Sequence, residues 1–187
     1  MTGSRLEAFS DGVLAIIITI MVLELRTPAG DSFASLAAQT PKLIAYIFSF
    51  IIIAIYWNNH HHLLRVATKI SSKVMWANMH LLFWLSLIPL ATAWVGEGSN
   101  YLARTPVGFY AFVGMAAGFA YYILSRTILL ANPGGDLQQR IGGDKKGIIS
   151  LFLYMAALVA SYVMPVVALV ILALTAVIWF IPDRRLV

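Results

Sequence analysis

The chain contains no cysteine in 187 residues, which removes disulfide scaffolds, thiol catalysis, zinc fingers and iron–sulfur clusters. Charge is scarce as well: Asp, Glu, Lys and Arg make up 11% of the residues, against about 25% in an ordinary soluble domain. Gly-x-Ser-x-Gly and His-Glu-x-x-His do not occur, so hydrolase and zincin chemistry lack their residues. The glycine-rich stretch Asn132-Pro133-Gly134-Gly135-Asp136 lacks the Lys-Ser/Thr of a phosphate-binding loop and reads as a turn region. No run of arginines at every third position marks a voltage sensor, and no Thr-Val-Gly-Tyr-Gly filter is present.

What is present is apolar. Hydrophobic residues make up 60% of the chain, and the mean hydropathy is +0.84. A protein this small has no core large enough to hide that surface from water. Lipid is therefore part of its solvent, and the expected fold class is all-α, an integral membrane protein.

A spanning helix needs about 20 predominantly apolar residues. Uncharged or nearly uncharged stretches at 6–25, 43–64, 74–96 and 105–125 supply four. The uncharged run from Gly147 to Pro182 would measure about 54 Å as one helix, well beyond a hydrocarbon core of about 30 Å. Pro165 offers a break, giving expected spans at 147–163 and 165–182 joined by a tight turn; a single kinked helix is the alternative. Six spans in one domain, residues 1–187, are the expectation. With the N-terminus inside, the inner segments hold Arg5, Arg65, Lys69, Lys73, Arg126, Arg140, Lys145, Lys146, Arg184 and Arg185. The outer segments hold only Arg26, Lys42 and Arg104, a bias that satisfies the positive-inside rule with both termini cytoplasmic. The net charge of +5 is thus a mark of topology, and nucleic acid is not an expected partner. Glu7 and Asp11 interrupt the apolar run that a signal peptide would need.

Ionisable residues in a membrane helix are costly and are functional candidates. Arg5, Glu7, Ser10 and Asp11 sit at the start of the first span, with Glu24 at its far end. On a helical wheel Asp11 lies about 140° and Glu7 about 180° from Ile16, whereas Phe9, Gly12, Thr19, Ile20 and Leu23 fall within about 60° of it. The acids point away from the stripe Ile16–Thr19–Ile20–Leu23. Arg5, Ser10 and the second span are the expected donors to Asp11; a headgroup position for Arg5 and Glu7 is the blander reading. Trp57-Asn58-Asn59-His60-His61-His62 closes the second span on the same side. Three histidines in a row invite a metal, yet neighbours on a helix point about 100° apart and no His-x-x-x-His pair exists. Asn78 and His80 lie in the inner third of the third span. A small membrane metalloenzyme using His60, His61, His62 and His80, or a proton-coupled transporter using Asp11 and a histidine, are the alternative functions. The leading reading is non-enzymatic and needs no cofactor.

At these clusters the chain resembles the prokaryotic branch of the endosomal and lysosomal potassium-channel family. Arg5-x-x-x-Phe9-Ser10-Asp11 matches its R-x-x-x-F-S-D signature, and Trp57-x-x-His60-His61, Leu85-Ser86-Leu87-Ile88-Pro89 and Gly96-Glu97 add looser agreement. The resemblance implies a potassium-permeable homotetramer in a prokaryotic plasma membrane, with four first helices around a central pore. It implies a constriction at Ile16, Ile20 and Leu23, a hydroxyl ring at Thr19, and potassium as the permeant ion. It also implies that Arg5, Phe9, Ser10, Asp11, Trp57, His60, His61 and Asn78 form a network anchoring the first helix to spans two and three. A ring of isoleucines can gate by dewetting.

Overall fold

In the computed structural model, residues 3–97, 102–133 and 145–180 are described. Leucine, isoleucine and alanine carry the first helix, α1, over Gly3–Leu23. It ends two residues before Leu25, where Glu24 and Leu25 close the last turn by backbone bonds to Ile20 and Val22. A five-residue helix α2 (Phe33–Ala37) follows, capped by the Ser32 side chain accepting from the Ser35 N–H. Helix α3 runs Thr40–Arg65 with Pro41 in its first turn, where the missing N–H costs nothing. Ser71 caps α4 (Ser72–Ser86) by accepting from the Val74 N–H.

The third apolar stretch is not one helix but two. α4 stops at Ser86, and α5 spans Ile88–Glu97. Pro89 has no N–H to give the Leu85 carbonyl, so the ladder breaks there. The Ser86 hydroxyl turns back to the Phe83 carbonyl at 2.7 Å, and Leu87 N–H takes the tighter bond to the Trp84 carbonyl.

Helix α6 (Arg104–Ala131) runs six residues past the expected end at 125. Arg126 does not terminate it, because the guanidinium lies over the Tyr122 ring, 5.2 Å from its centroid. The chain resumes in α7 (Lys145–Val163) and α8 (Pro165–Phe180), broken at Met164. These two lie antiparallel: Trp179 near the end of α8 donates to Ser150 near the start of α7 at 2.6 Å, and Lys146 reaches the Ile178 carbonyl. A single kinked helix is excluded. Residues 181 and 182 of the expected last span, together with Arg140, Arg184 and Arg185, lie outside the described residues.

Among the described residues, α1, α3, the α4–α5 pair, α6 and α7 are long and apolar enough to cross a membrane, and α8 is a shorter apolar helix. At about 1.5 Å per residue, the 16 residues of α8 extend about 24 Å. The centre belongs to α6, whose buried face meets α4, α5, α7 and α8. Small residues permit the closest approach: a Cβ at Gly114 would sit 2.7 Å from the Tyr154 ring, so α7 packs against bare α6 backbone. α1 lies at the edge, touching α3, α4 and α5 along one face. That face is Leu6, Ser10, Leu14, Ile17 and Met21; the other is left bare.

One end of the bundle gathers the start of α1, the loop 66–71 and the end of α6. Asn132 ties it together: its amide oxygen accepts from Thr68 Oγ1 and the Lys69 N–H, and its amide nitrogen donates to the Lys69 and Ile128 carbonyls. At the opposite end Glu97 faces Arg26 at 3.8 Å and Lys42 at 4.0 Å.

Candidate functional site

α1 and α3 run antiparallel, so residues four apart on one meet residues four apart on the other. Trp57 Nε1–H donates to Asp11 Oδ1 at 2.9 Å, and one turn further His61 Nδ1 lies 2.6 Å from Glu7 Oε1. The Trp57 and His61 rings stack, with centroids 6.0 Å apart. Both acids are therefore half-buried against α3.

Beside this ladder runs a second chain whose direction is fixed by its acceptors. The Leu6 carbonyl can only accept, so Ser10 Oγ–H donates to it at 2.8 Å. The proton of Ser10 is then spent, and Asn78 Nδ2–H donates to Ser10 Oγ at 2.9 Å. The amide oxygen of Asn78 thus faces His60, whose Nε2–H donates to it at 2.6 Å. Ser10 and Asn78 are 0% exposed and His60 is 1% exposed. Three helices, α1, α3 and α4, are held by this line. His60 presents Nε2–H and its neighbour His61 presents Nδ1–H: two adjacent imidazoles with opposite protons.

The structure brings Ser10, His60 and Asn78 into one group, and Asp11 and Trp57 into another beside it. Two expected members stand apart. Arg5 is exposed and makes no ion pair among the described residues, so Asp11 takes its donor from the Trp57 indole and not from the guanidinium. Nor is Ser10 a donor to Asp11, since its proton goes to Leu6. Phe9 is 46% exposed on the bare side of α1.

That bare side carries the expected stripe. Ile16 is 60%, Ile20 43% and Leu23 75% exposed, with Thr19 between them. The Thr19 hydroxyl donates to the Ala15 carbonyl at 2.8 Å, so its oxygen faces outward as an acceptor. A polar group in lipid would spend its hydrogen bonds in this way too, but an outward acceptor is also suited to a cation.

The histidine run forms no cluster of metal ligands among the described residues. His61 is engaged by Glu7, His62 packs edge-on against His61, and His80 accepts from Trp84 Nε1–H at 2.9 Å on its own helix.

Sequence reasoning missed a buried hydroxyl chain deeper in the bundle. Thr92 donates to the Ile88 carbonyl, so Ser49 donates to Thr92 at 2.6 Å and Tyr110 donates to Ser49 at 2.8 Å. α3, α5 and α6 are pinned through it. Its only signal was a serine and a threonine inside otherwise apolar runs.

The comparisons with known proteins bear on this geometry. Residues 5–89 match the model of the family described as endosomal/lysosomal potassium channel TMEM175. The chain is 48% identical, over 187 residues, to a potassium channel of Chryseobacterium sp. (strain P1-3), covering 100% of this chain and 96% of that one. The chain belongs to the TMEM175 family. Its fold superposes on the crystal structure of a lysosomal potassium-selective channel TMEM175 homolog from Chamaesiphon minutus, with a TM-score of 0.83 at 25% identity, covering 97% and 98% of the two chains. The endosomal/lysosomal proton channel TMEM175 of Mus musculus is 26% identical over 180 residues, which are 87% of this chain but 36% of the mouse protein. TMEM175 proteins are ion channels, so the metalloenzyme reading of His60, His61, His62 and His80 is set aside. Every residue of the ladder, the buried line and the bare α1 stripe falls inside the span matched by the TMEM175 model.

Proposed function

We propose that the protein is a potassium-permeable channel, a homotetramer in a prokaryotic plasma membrane, whose four α1 helices surround the pore. The observation that carries this reading is the division of α1 into two faces. One is locked to α3 and α4 through Asp11–Trp57, Glu7–His61 and the Ser10–Asn78–His60 line. The other leaves Ile16, Ile20 and Leu23 bare. In this reading those side chains from four copies form the constriction, which closes by dewetting when its radius is too small to hold water. Thr19 contributes a ring of outward acceptor oxygens that compensates part of a cation's lost hydration. Arg5, Phe9, Ser10, Asp11, Trp57, His60, His61 and Asn78 belong to the family-like signature, and most of them anchor the helix without touching the ion.

The basic residues give the orientation. Arg5, Arg65, Lys69, Lys73 and Lys146 lie toward the end where α1 begins, which we assign to the cytoplasm, while Arg26, Lys42 and Arg104 lie toward the other.

Potassium flux into liposomes carrying the purified chain tests the reading. Flux without nucleotide or added cofactor is expected, and Ile16→Ala is expected to raise it by widening the constriction. An inert protein over a range of pH, or one whose flux ignores Ile16, would count against it. Cross-linking in the membrane is expected to give a ladder ending at four.

A further inference from the structure

Helices α3, α6, α7 and α8 line a partly open cavity near the end of the bundle where α7 begins. Tyr56, Asn59, Tyr121, Ser150, Tyr154 and Trp179 contribute its polar lining, and its volume open to the centre of a water molecule is about 40 Å³. Asn59 is 3% exposed. Its amide nitrogen donates to the Ile55 carbonyl at 2.8 Å, but its oxygen has no partner among the described residues.

A buried amide oxygen without a donor is rare in native proteins and calls for an occupant. Two of the donors around it are spent elsewhere. Trp179 Nε1–H goes to Ser150 Oγ, and the Thr175 hydroxyl goes to the Ile171 carbonyl. The guest must therefore donate to Asn59 Oδ1 without bringing in a charge, since burying an unpaired ion is costly, which is the chemistry of a hydroxyl and not of an ether or an ammonium.

Size narrows it further. One water needs about 10–15 Å³ measured in this way, and a 150 Å³ cavity takes benzene. The observed space holds about three waters and excludes an aromatic ring.

We propose that this cavity is a binding site for a small hydroxyl-bearing molecule, water or an alcohol of one or two carbons, held by Asn59 Oδ1. The guest bridges the α7–α8 pair to the turn of α3 that includes His60, from which the α1-anchoring line starts.

The test uses the full chain in nanodiscs, with the side-chain amide of Asn59 followed by solid-state NMR. Water transfer to that amide is expected in the unliganded protein. A methanol, ethanol, n-propanol and n-butanol series, dosed to equal bilayer partitioning, separates the two sources. Saturable shifts with methanol and ethanol but not with the longer alcohols assign the site to both guests; water transfer with no alcohol response assigns it to water alone. Ala176→Leu, at a half-buried position of the cavity wall, is expected to abolish both signals while keeping the fold. Absence of water transfer together with absence of alcohol shifts overturns the proposal. So do shifts that grow with chain length or survive Ala176→Leu, which would be bilayer effects. Asn59→Leu is a second variant that is expected to remove alcohol shifts from the neighbouring Tyr56 and Tyr154.

Discussion

His60 gives its Nε2 proton to Asn78 Oδ1 across 2.6 Å, at a site where both side chains are almost wholly buried. The relationship is directional, because Asn78 must turn its NH₂ toward Ser10, whose own proton is committed to the Leu6 carbonyl. Replacing Asn78 by leucine keeps the branching and the number of side-chain heavy atoms and orphans the imidazole N–H. A cost of about 1–3 kcal/mol per orphaned buried group is expected, read as a lower Tm in detergent. Ser86→Ala, at an exposed position, is expected to leave Tm near that of the parent.

Among the described residues, Asp11 is held by one donor, the Trp57 indole. Asp11→Asn keeps an acceptor oxygen there, and near-normal tetramer yield is expected on size-exclusion chromatography. Asp11→Ala removes it and is expected to lower the yield while leaving the potassium-to-sodium flux ratio unchanged. Normal assembly with altered selectivity would put Asp11 at the pore.

The α6–α7 contact makes two glycines unequal. Gly114→Ala drives a methyl into the Tyr154 ring, at 2.7 Å, whereas a methyl at Gly118 meets that ring at an ordinary 3.5 Å. Overpacking of about 1–3 kcal/mol is expected at Gly114 and little change at Gly118. Thermal melts of the two single variants check the order.

Glu97 makes long ion pairs with Arg26 and Lys42, and its side chain is 48% exposed. Solvent screens such pairs, so Glu97→Gln is expected to change stability by less than about 1 kcal/mol. A larger drop in Tm would assign Glu97 a role beyond these contacts.

How far these features were readable in the chain depends on how local they are. The side of α1 that carries the acids follows from the angle between residues on one helix, and Asp11 and Glu7 do face α3. The donor to Asp11 was not readable in the same way. Arg5 is near in sequence, but Trp57 reaches it only because α3 packs antiparallel, which no periodicity within α1 reveals. Pro89 could have announced the break between α4 and α5, and was obscured by the unbroken apolar character around it. Arg126 suggested an end to α6, whereas a long side chain can lie over a tyrosine and let the helix continue. The Tyr110–Ser49–Thr92 chain draws one residue from each of three helices, so no short stretch of sequence carries it.

The absence of native cysteine makes the bare face of α1 directly measurable. Single-cysteine variants at Ile16 and Ile20 on that face, and at Leu14 on the buried one, are treated with a small water-soluble thiol reagent in potassium-loaded liposomes. Ile16→Cys and Ile20→Cys are expected to lose potassium flux on labelling, and Leu14→Cys is expected to keep it. Flux that survives complete labelling at Ile16 and Ile20, or that is lost only at Leu14, would contradict a pore lined by this face of α1.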